Sequence, residues 1–216
     1  MARLKVGVQI SGRGSNLQAL IDACRDPGFP AEIVCVVSNV PEVQGLARAR
    51  AAGIPAVTVP HRAFPDRESF QAELTRTFLA HGVELICSAG FMRVLTPSFF
   101  ETWRDRVINI HPSLLPSFPG LHTHERALAA GCRFGGCTVH FVNAELDAGP
   151  IIVQAAVPIR ADDTPDTLAA RVLVEEHRIY PAALRWIAEG RVRIDGARTL
   201  VDGVASPAVP TVNPAL

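Results

Sequence analysis

The strongest constraint on this chain is an alternation. Short, nearly continuous apolar runs rich in β-branched residues take turns with longer stretches of helical period. The runs are LKVGVQI (4–10), AEIVCVVSN (31–39), AVTVP (56–60), ELICSAG (84–90) and RVINI (106–110). Between the early ones lie NLQALIDAC (16–24), EVQGLARARAAG (42–53) and DRESFQAELTRTFLAHG (66–82), each with apolar residues at i, i+3 or i+4 spacing. A strand that is apolar on both faces needs cover on both faces, which is the mark of a parallel sheet between helical layers. The pattern predicts an α/β fold, an open, doubly wound, mostly parallel sheet over roughly the first 110 residues. A hairpin-like strand pair, CTVHFVN (137–143) and IIVQAAVPI (151–159), and a long helix over 164–189 follow. The expected domain is 1–195. Residues 196–216 form an extension whose end, ASPAVPTVNPAL, has no helical period and is expected to be mobile.

Composition narrows the functional classes. Of 216 residues, 48% are apolar and 19% charged, enough for a sizeable core. Lys+Arg and Asp+Glu both number 21, so the chain lacks the strongly basic surface of a nucleic-acid binder. Cys24, Cys35, Cys87, Cys132 and Cys137 are odd in number and scattered, with no Cys-x-x-Cys. They read as reduced core thiols of a cytoplasmic protein. No apolar run reaches the ~18 residues of a membrane span, and the N-terminal residues lack the flanks of a signal peptide.

Two motifs carry chemistry. ISGRGSNLQALI (10–21) reads as strand, glycine turn, helix. Gly12 and Gly14 permit the left-handed backbone of an anion cradle, and Ser15 and Asn16 suit a helix N-cap. No Gly-Lys-Ser/Thr follows, and Leu17 stands where a dinucleotide fingerprint has its third glycine. The pattern fits a single-phosphate site, and equally an ordinary tight turn. INIHPSLLP (108–116) places Asn109 and His111 two apart on a strand, hence on one side and ~6.5–7 Å apart, where Pro112 ends the strand. An amide donor and an imidazole facing one point suit an acyl carbon, as oxyanion donor and proton carrier. Asp147 in ELDAGPII (145–152) supplies a carboxylate able to stabilise imidazolium. Each residue alone also fits a plain hydrogen-bonded histidine or a turn aspartate.

The stretches ISGRGSNLQALI, AGFMRVL, INIHPSLLPSFPGLHTHERAL and GCTVHFVNAELDAGPIIVQ together resemble the phosphoribosylglycinamide formyltransferases, folate-dependent enzymes of purine synthesis. The resemblance runs from about residue 3 to 195. It implies transfer of a formyl group from 10-formyltetrahydrofolate to the amine of glycinamide ribonucleotide. On that pattern Asn109 and His111 stabilise the oxyanion, and His111 donates a proton. Asp147 keeps His111 charged and moves protons through water. Gly14, Ser15 and Asn16 match phosphate and ribose contacts, and Glu176 an amine contact. Arg67, Met92, Arg93, Val94, Leu95 and Asn109 match folate contacts, and His140 a second histidine near the reacting centre. The loop VNAELDAG (142–149) matches one that closes on the pterin. Read singly, Met92 and Leu95 also fit a core, and Arg67 a solvated helix charge. His122 and His124 lack the Cys/His partners of a metal site. The resemblance implies no metal, small-molecule substrates, no nucleic-acid or membrane partner, and a monomer or homodimer.

Overall fold

The computed structural model describes residues 2–214. Contacts group them into two compact units, and the division falls inside one strand, between Asn109 and Ile110. The first unit comprises the chain up to Asn109 together with Phe141–Glu145. Its elements are β1 (Leu4–Ile10), α1 (Ser15–Cys24), β2 (Ala31–Ser38), α2 (Gln44–Ala51), β3 (Ala56–Thr58), a 3-10 turn (His61–Ala63), α3 (Arg67–Ala80), β4 (Leu85–Ser88), α4 (Pro97–Trp103) and the start of β5 (Val107–His111). The strand order is β3-β2-β1-β4-β5, all parallel. The order reverses between β1 and β4, the switch point at whose carboxyl ends open α/β sheets bind ligands. Both faces are covered. A Cβ at Gly7 would lie 2.6 Å from the Phe78 ring of α3, whereas Ile10, on the opposite face, reaches Gly45 of α2.

The helices start where their residues can satisfy free amides. Asp66 caps α3 by accepting from the Ser69 N–H at 2.8 Å. Buried Phe70, Leu74 and Phe78 recur every four residues along α3 and face the core. There they meet Phe99 and Trp103 of α4, the Phe78 and Trp103 rings standing edge to face at 6.0 Å. Truncating such an aromatic costs about 3–5 kcal/mol. Helix α4 goes unpredicted because seven residues are too few to display a period.

The second unit comprises Ile110–His140 and the chain from Leu146 onward. It holds the end of β5, α5 (Thr123–Ala129), β6 (Phe134–Phe141), β7 (Ile151–Pro158), α6 (Pro165–Ala188), β8 (Val192–Asp195) and β9 (Arg198–Val201). Strands β6 and β7 are antiparallel, as expected, and the order continues β6-β7-β9-β8. Strand β6 begins at Phe134, earlier than its pattern suggests, because Gly135 and Gly136 hide its start. Helix α6 opens with a capping box on Thr164 and Thr167 and Pro165 in its first turn. Its buried stripe is Leu168, Val172, Glu176, Tyr180 and Leu184, so one carboxylate sits in an otherwise apolar row.

The hairpin β8–β9 lies across residues 195 and 196, pairing Asp195 with Arg198, so the extension begins with a strand of the sheet. Further on, the Asn213 Nδ2 donates to the Arg133 and Ile159 carbonyls at 2.5 and 3.0 Å. The last two residues of the tail lie outside the described residues. The five cysteines are free thiols, with Cys35, Cys87 and Cys137 buried. Burial pushes Cys24 up to about 11 and Cys35 and Cys137 up to about 12. Among the described residues no helix is long and apolar enough to cross a membrane.

Candidate active site

In the first unit the glycine turn leaves β1 at Ser11 and enters α1 at Ser15. The N-cap is Gly14, left-handed at φ 71° and ψ 38°, and no side chain caps the first turn. Ser15 and Asn16 are thus the first two helical residues, one step later than a capping role would place them. A glycine can adopt this conformation without the Cβ clash that another residue meets. With no side-chain cap, the helix N-terminus keeps its preference for negative charge.

Ser11 ties this loop to the segment after β4. Its N–H donates to the Gly90 carbonyl at 3.1 Å. Its hydroxyl accepts from the Met92 N–H at 2.8 Å and donates to Asn39 Oδ1 at 2.6 Å. Asn39 Nδ2 in turn lies 3.2 Å from His61 Nδ1. The segment resembling a folate site is therefore pinned by backbone. Met92 and Val94 are 63% and 58% exposed, so they are not core residues, whereas Leu95 packs against the core. Gln71 Nε2 fixes the Val94 carbonyl at 3.0 Å. Arg93 and Arg67 are exposed, Arg67 at the first position of α3. Asn109, the last residue of this unit, is half-buried and pairs in register with Ser88.

In the second unit His111 is buried, and both ring nitrogens face acceptors. Nδ1 lies 3.4 Å from Asp147 Oδ2, and Nε2 lies 3.1 Å from the Phe118 carbonyl. Imidazolium donates from both nitrogens and satisfies both groups, whereas a neutral ring satisfies one. Asp147 is left-handed at φ 52°, and its Oδ2 also accepts from the Gly120 N–H at 2.8 Å. Aspartate tolerates this backbone at a cost on the order of 1 kcal/mol. The other carboxylate oxygen lies 4.0 Å from Nε2 of His140, itself buried on β6. The structure thus gathers His111, Asp147 and His140. Glu176 is buried on α6, on the same helical stripe as Leu168 and Val172.

His122 is left-handed and exposed, 3.5 Å from Glu125. His124 lines a cavity of about 80 Å³ with Ser113, Ser117 and Cys132, and burial pushes its imidazole down. Sequence reasoning overlooks Ser11, Asn39, Phe118 and Gly120. The last two act through backbone atoms, which residue identity does not reveal. Ser11 has a visible signal, a hydroxyl at a strand's carboxyl end immediately before the glycine turn.

Residues 4–184 match the formyl transferase family over most of the chain. The chain belongs to the formyl transferase family. The chain is 45% identical over 204 residues to the phosphoribosylglycinamide formyltransferase of Escherichia coli (strain K12), covering 94% of this chain and 96% of that one. It is 54% identical over 194 residues to the trifunctional purine biosynthetic protein adenosine-3 of Drosophila melanogaster, matching 89% of its own length and spanning only 14% of that protein. Its fold superposes on the glycinamide ribonucleotide transformylase 1 of Symbiobacterium toebii with a TM-score of 0.90, 47% identity, and 92% and 94% of the two chains covered. In this chain the His111 ring lies between the Asp147 carboxylate and the Phe118 carbonyl.

Proposed function

We propose that this chain transfers the formyl group of 10-formyltetrahydrofolate to the primary amine of N1-(5-phospho-β-D-ribosyl)glycinamide in purine (IMP) biosynthesis. The amine lone pair bonds to the formyl carbon, and the carbonyl π pair moves to oxygen. Asn109 and His111 donate hydrogen bonds to that oxyanion. Asp147, through water, accepts the proton lost by the attacking nitrogen. When the oxyanion collapses, the bond from carbon to folate N10 breaks with its electron pair, N10 takes a proton from His111, and the proton held by Asp147 returns to His111. The products are the N-formyl ribonucleotide and tetrahydrofolate. A single oxyanion donor of this kind is worth about 10²–10³ in rate.

The remaining roles follow from chemistry. Gly14, Ser15 and Asn16 take the phosphate and ribose, using free amides at a helix N-terminus. Glu176 attracts the substrate amine. Met92, Arg93, Val94 and Leu95 pair their backbone with the edge of a flat pterin, and the exposed Met92 and Val94 side chains lie against it. Arg67 meets the anionic end of the folate. His140 buttresses Asp147. No metal takes part, since hydrogen-bond donors already supply the electrophilic help. The enzyme works on small molecules in the cytoplasm, as a monomer or homodimer.

The observation that carries this reading is the His111–Asp147 pair at 3.4 Å, on a chain that matches the E. coli formyltransferase nearly end to end. The test is an absorbance assay with 10-formyltetrahydrofolate, with and without the ribonucleotide. Folate product that depends on the ribonucleotide supports transfer. Product formed equally in water alone indicates a hydrolase, and none at all indicates a silent binding module.

A further inference from the structure

Helix α2 fixes the backbone of the glycine turn from one side. The Gly45 N–H donates to the Gly12 carbonyl at 3.1 Å, and Arg48 Nε donates to the Arg13 carbonyl at 3.1 Å. These carbonyls belong to two successive peptides, both trans. In a planar trans peptide the N–H points opposite to the C=O. Drawing the Gly12 and Arg13 carbonyls toward α2 therefore aims the Arg13 and Gly14 amides away from it. The left-handed Gly14 then curves the chain into the first turn of α1. Successive amides directed to one side form an anion-binding concavity.

We propose that Arg48 and Gly45 are positioning residues for this phosphate cradle: they aim its amides, and Arg48 acts through the Arg13 carbonyl rather than on the phosphate. The inference rests on Gly14–Asn16 being the phosphate loop. The guanidinium of Arg48 is already committed to the loop carbonyl and to α1. Its Nη1 donates to Gln18 Oε1 at 3.2 Å, and Gln18 Nε2 donates onward to Asp22 Oδ1 at 2.9 Å. Gly45 is glycine because nothing larger fits. A Cβ there would stand 2.4 Å from Ile10 Cδ1 and 3.0 Å from the Gly12 oxygen, displacing the loop it holds.

The test compares Arg48→Ala with the wild type in two ways. Calorimetry measures binding of inorganic phosphate. Kinetics at low and high KCl give kcat and both KM values. The variant is expected to weaken phosphate binding and raise the ribonucleotide KM about tenfold, the loss of one charge-assisted hydrogen bond. Both kcat and the folate KM stay within about twofold. The tenfold factor persists at high KCl, since geometry is not screened, whereas a direct charge contact fades. Gly45→Ala is expected to raise the same two constants with the same split. Unchanged phosphate binding in Arg48→Ala, or a loss that disappears with salt, overturns the assignment. Wild-type protein that binds phosphate yet transfers no formyl group would refute the proposed reaction and leave this inference standing.

Discussion

Replacing Asp147 by asparagine removes one charge and little else. The introduced carboxamide keeps an oxygen able to accept from the Gly120 N–H, so the left-handed turn retains its anchor. What is lost is the carboxylate charge 3.4 Å from His111, whose imidazolium form carries the proton in the proposed mechanism. Both side chains are largely buried, 7% and 12% exposed. At an effective dielectric constant of about 20, unit charges at this separation attract by about 5 kcal/mol, an upper bound. The carboxamide dipole and nearby water restore part of it. A rate loss of about 10²–10³-fold in kcat corresponds to roughly 3–4 kcal/mol, within that bound. The ribonucleotide KM should change by less than about threefold, because in the proposed mechanism Asp147 handles a proton and does not hold the phosphate or ribose. Steady-state kinetics, with thermal unfolding to confirm that the variant is folded, reads both quantities. A folded variant within fivefold of wild-type kcat would refute the role of the charge.

Asn109→Ala should lower kcat by about 10²–10³-fold with little change in either KM, as loss of an oxyanion donor does; retained activity would remove Asn109 from the chemistry. Ser11→Ala takes away the acceptor for the Met92 N–H and should raise the folate KM severalfold, about the effect of one backbone hydrogen bond; an unchanged folate KM would show that the tie does not matter. Asp163 accepts from Arg171, from the Arg160 N–H at 2.7 Å and from the Thr167 hydroxyl at 2.9 Å. The Arg171 side chain above all holds its carboxyl well below the usual carboxylate range. Asp163→Asn should therefore cost about 1–2 kcal/mol at neutral pH. A carboxyl depressed by folding stabilises fully above its unfolded value of 3.8 and loses that contribution as pH falls below it. The gap between wild type and variant, followed by urea titration, should hold from pH 7 to about pH 5 and narrow progressively as pH falls below about 4. A gap that grows in acid would contradict the assignment.

Much of the fold is legible because apolar runs and helical periods are long where the sheet is parallel. Strands β1, β2 and β7 begin where their patterns begin, and α6 appears at nearly full length. Short elements outside the apolar runs escape. The seven residues of α4 and α5 complete fewer than two turns, and β8 and β9 have four residues each, half exposed. Asn109 and His111 are readable as candidates because they stand two apart in the same strand, β5. Their neighbours are less so. Asp147 reaches His111 across a long stretch of chain, and the other partners, the Phe118 carbonyl and Gly120 amide, are main-chain atoms. Met92 shows what hydrophobicity alone leaves open: a core position and a folate contact both fit the sequence, and its 63% exposure excludes the core, while its N–H is tied to the Ser11 hydroxyl.

The most direct test follows the formyl carbon itself. With an isotopic label on the formyl group of 10-formyltetrahydrofolate, the labelled carbon should appear on the nitrogen of the glycinamide ribonucleotide, one label per tetrahydrofolate released. Label recovered as free formate while the ribonucleotide remains unmodified would contradict the account.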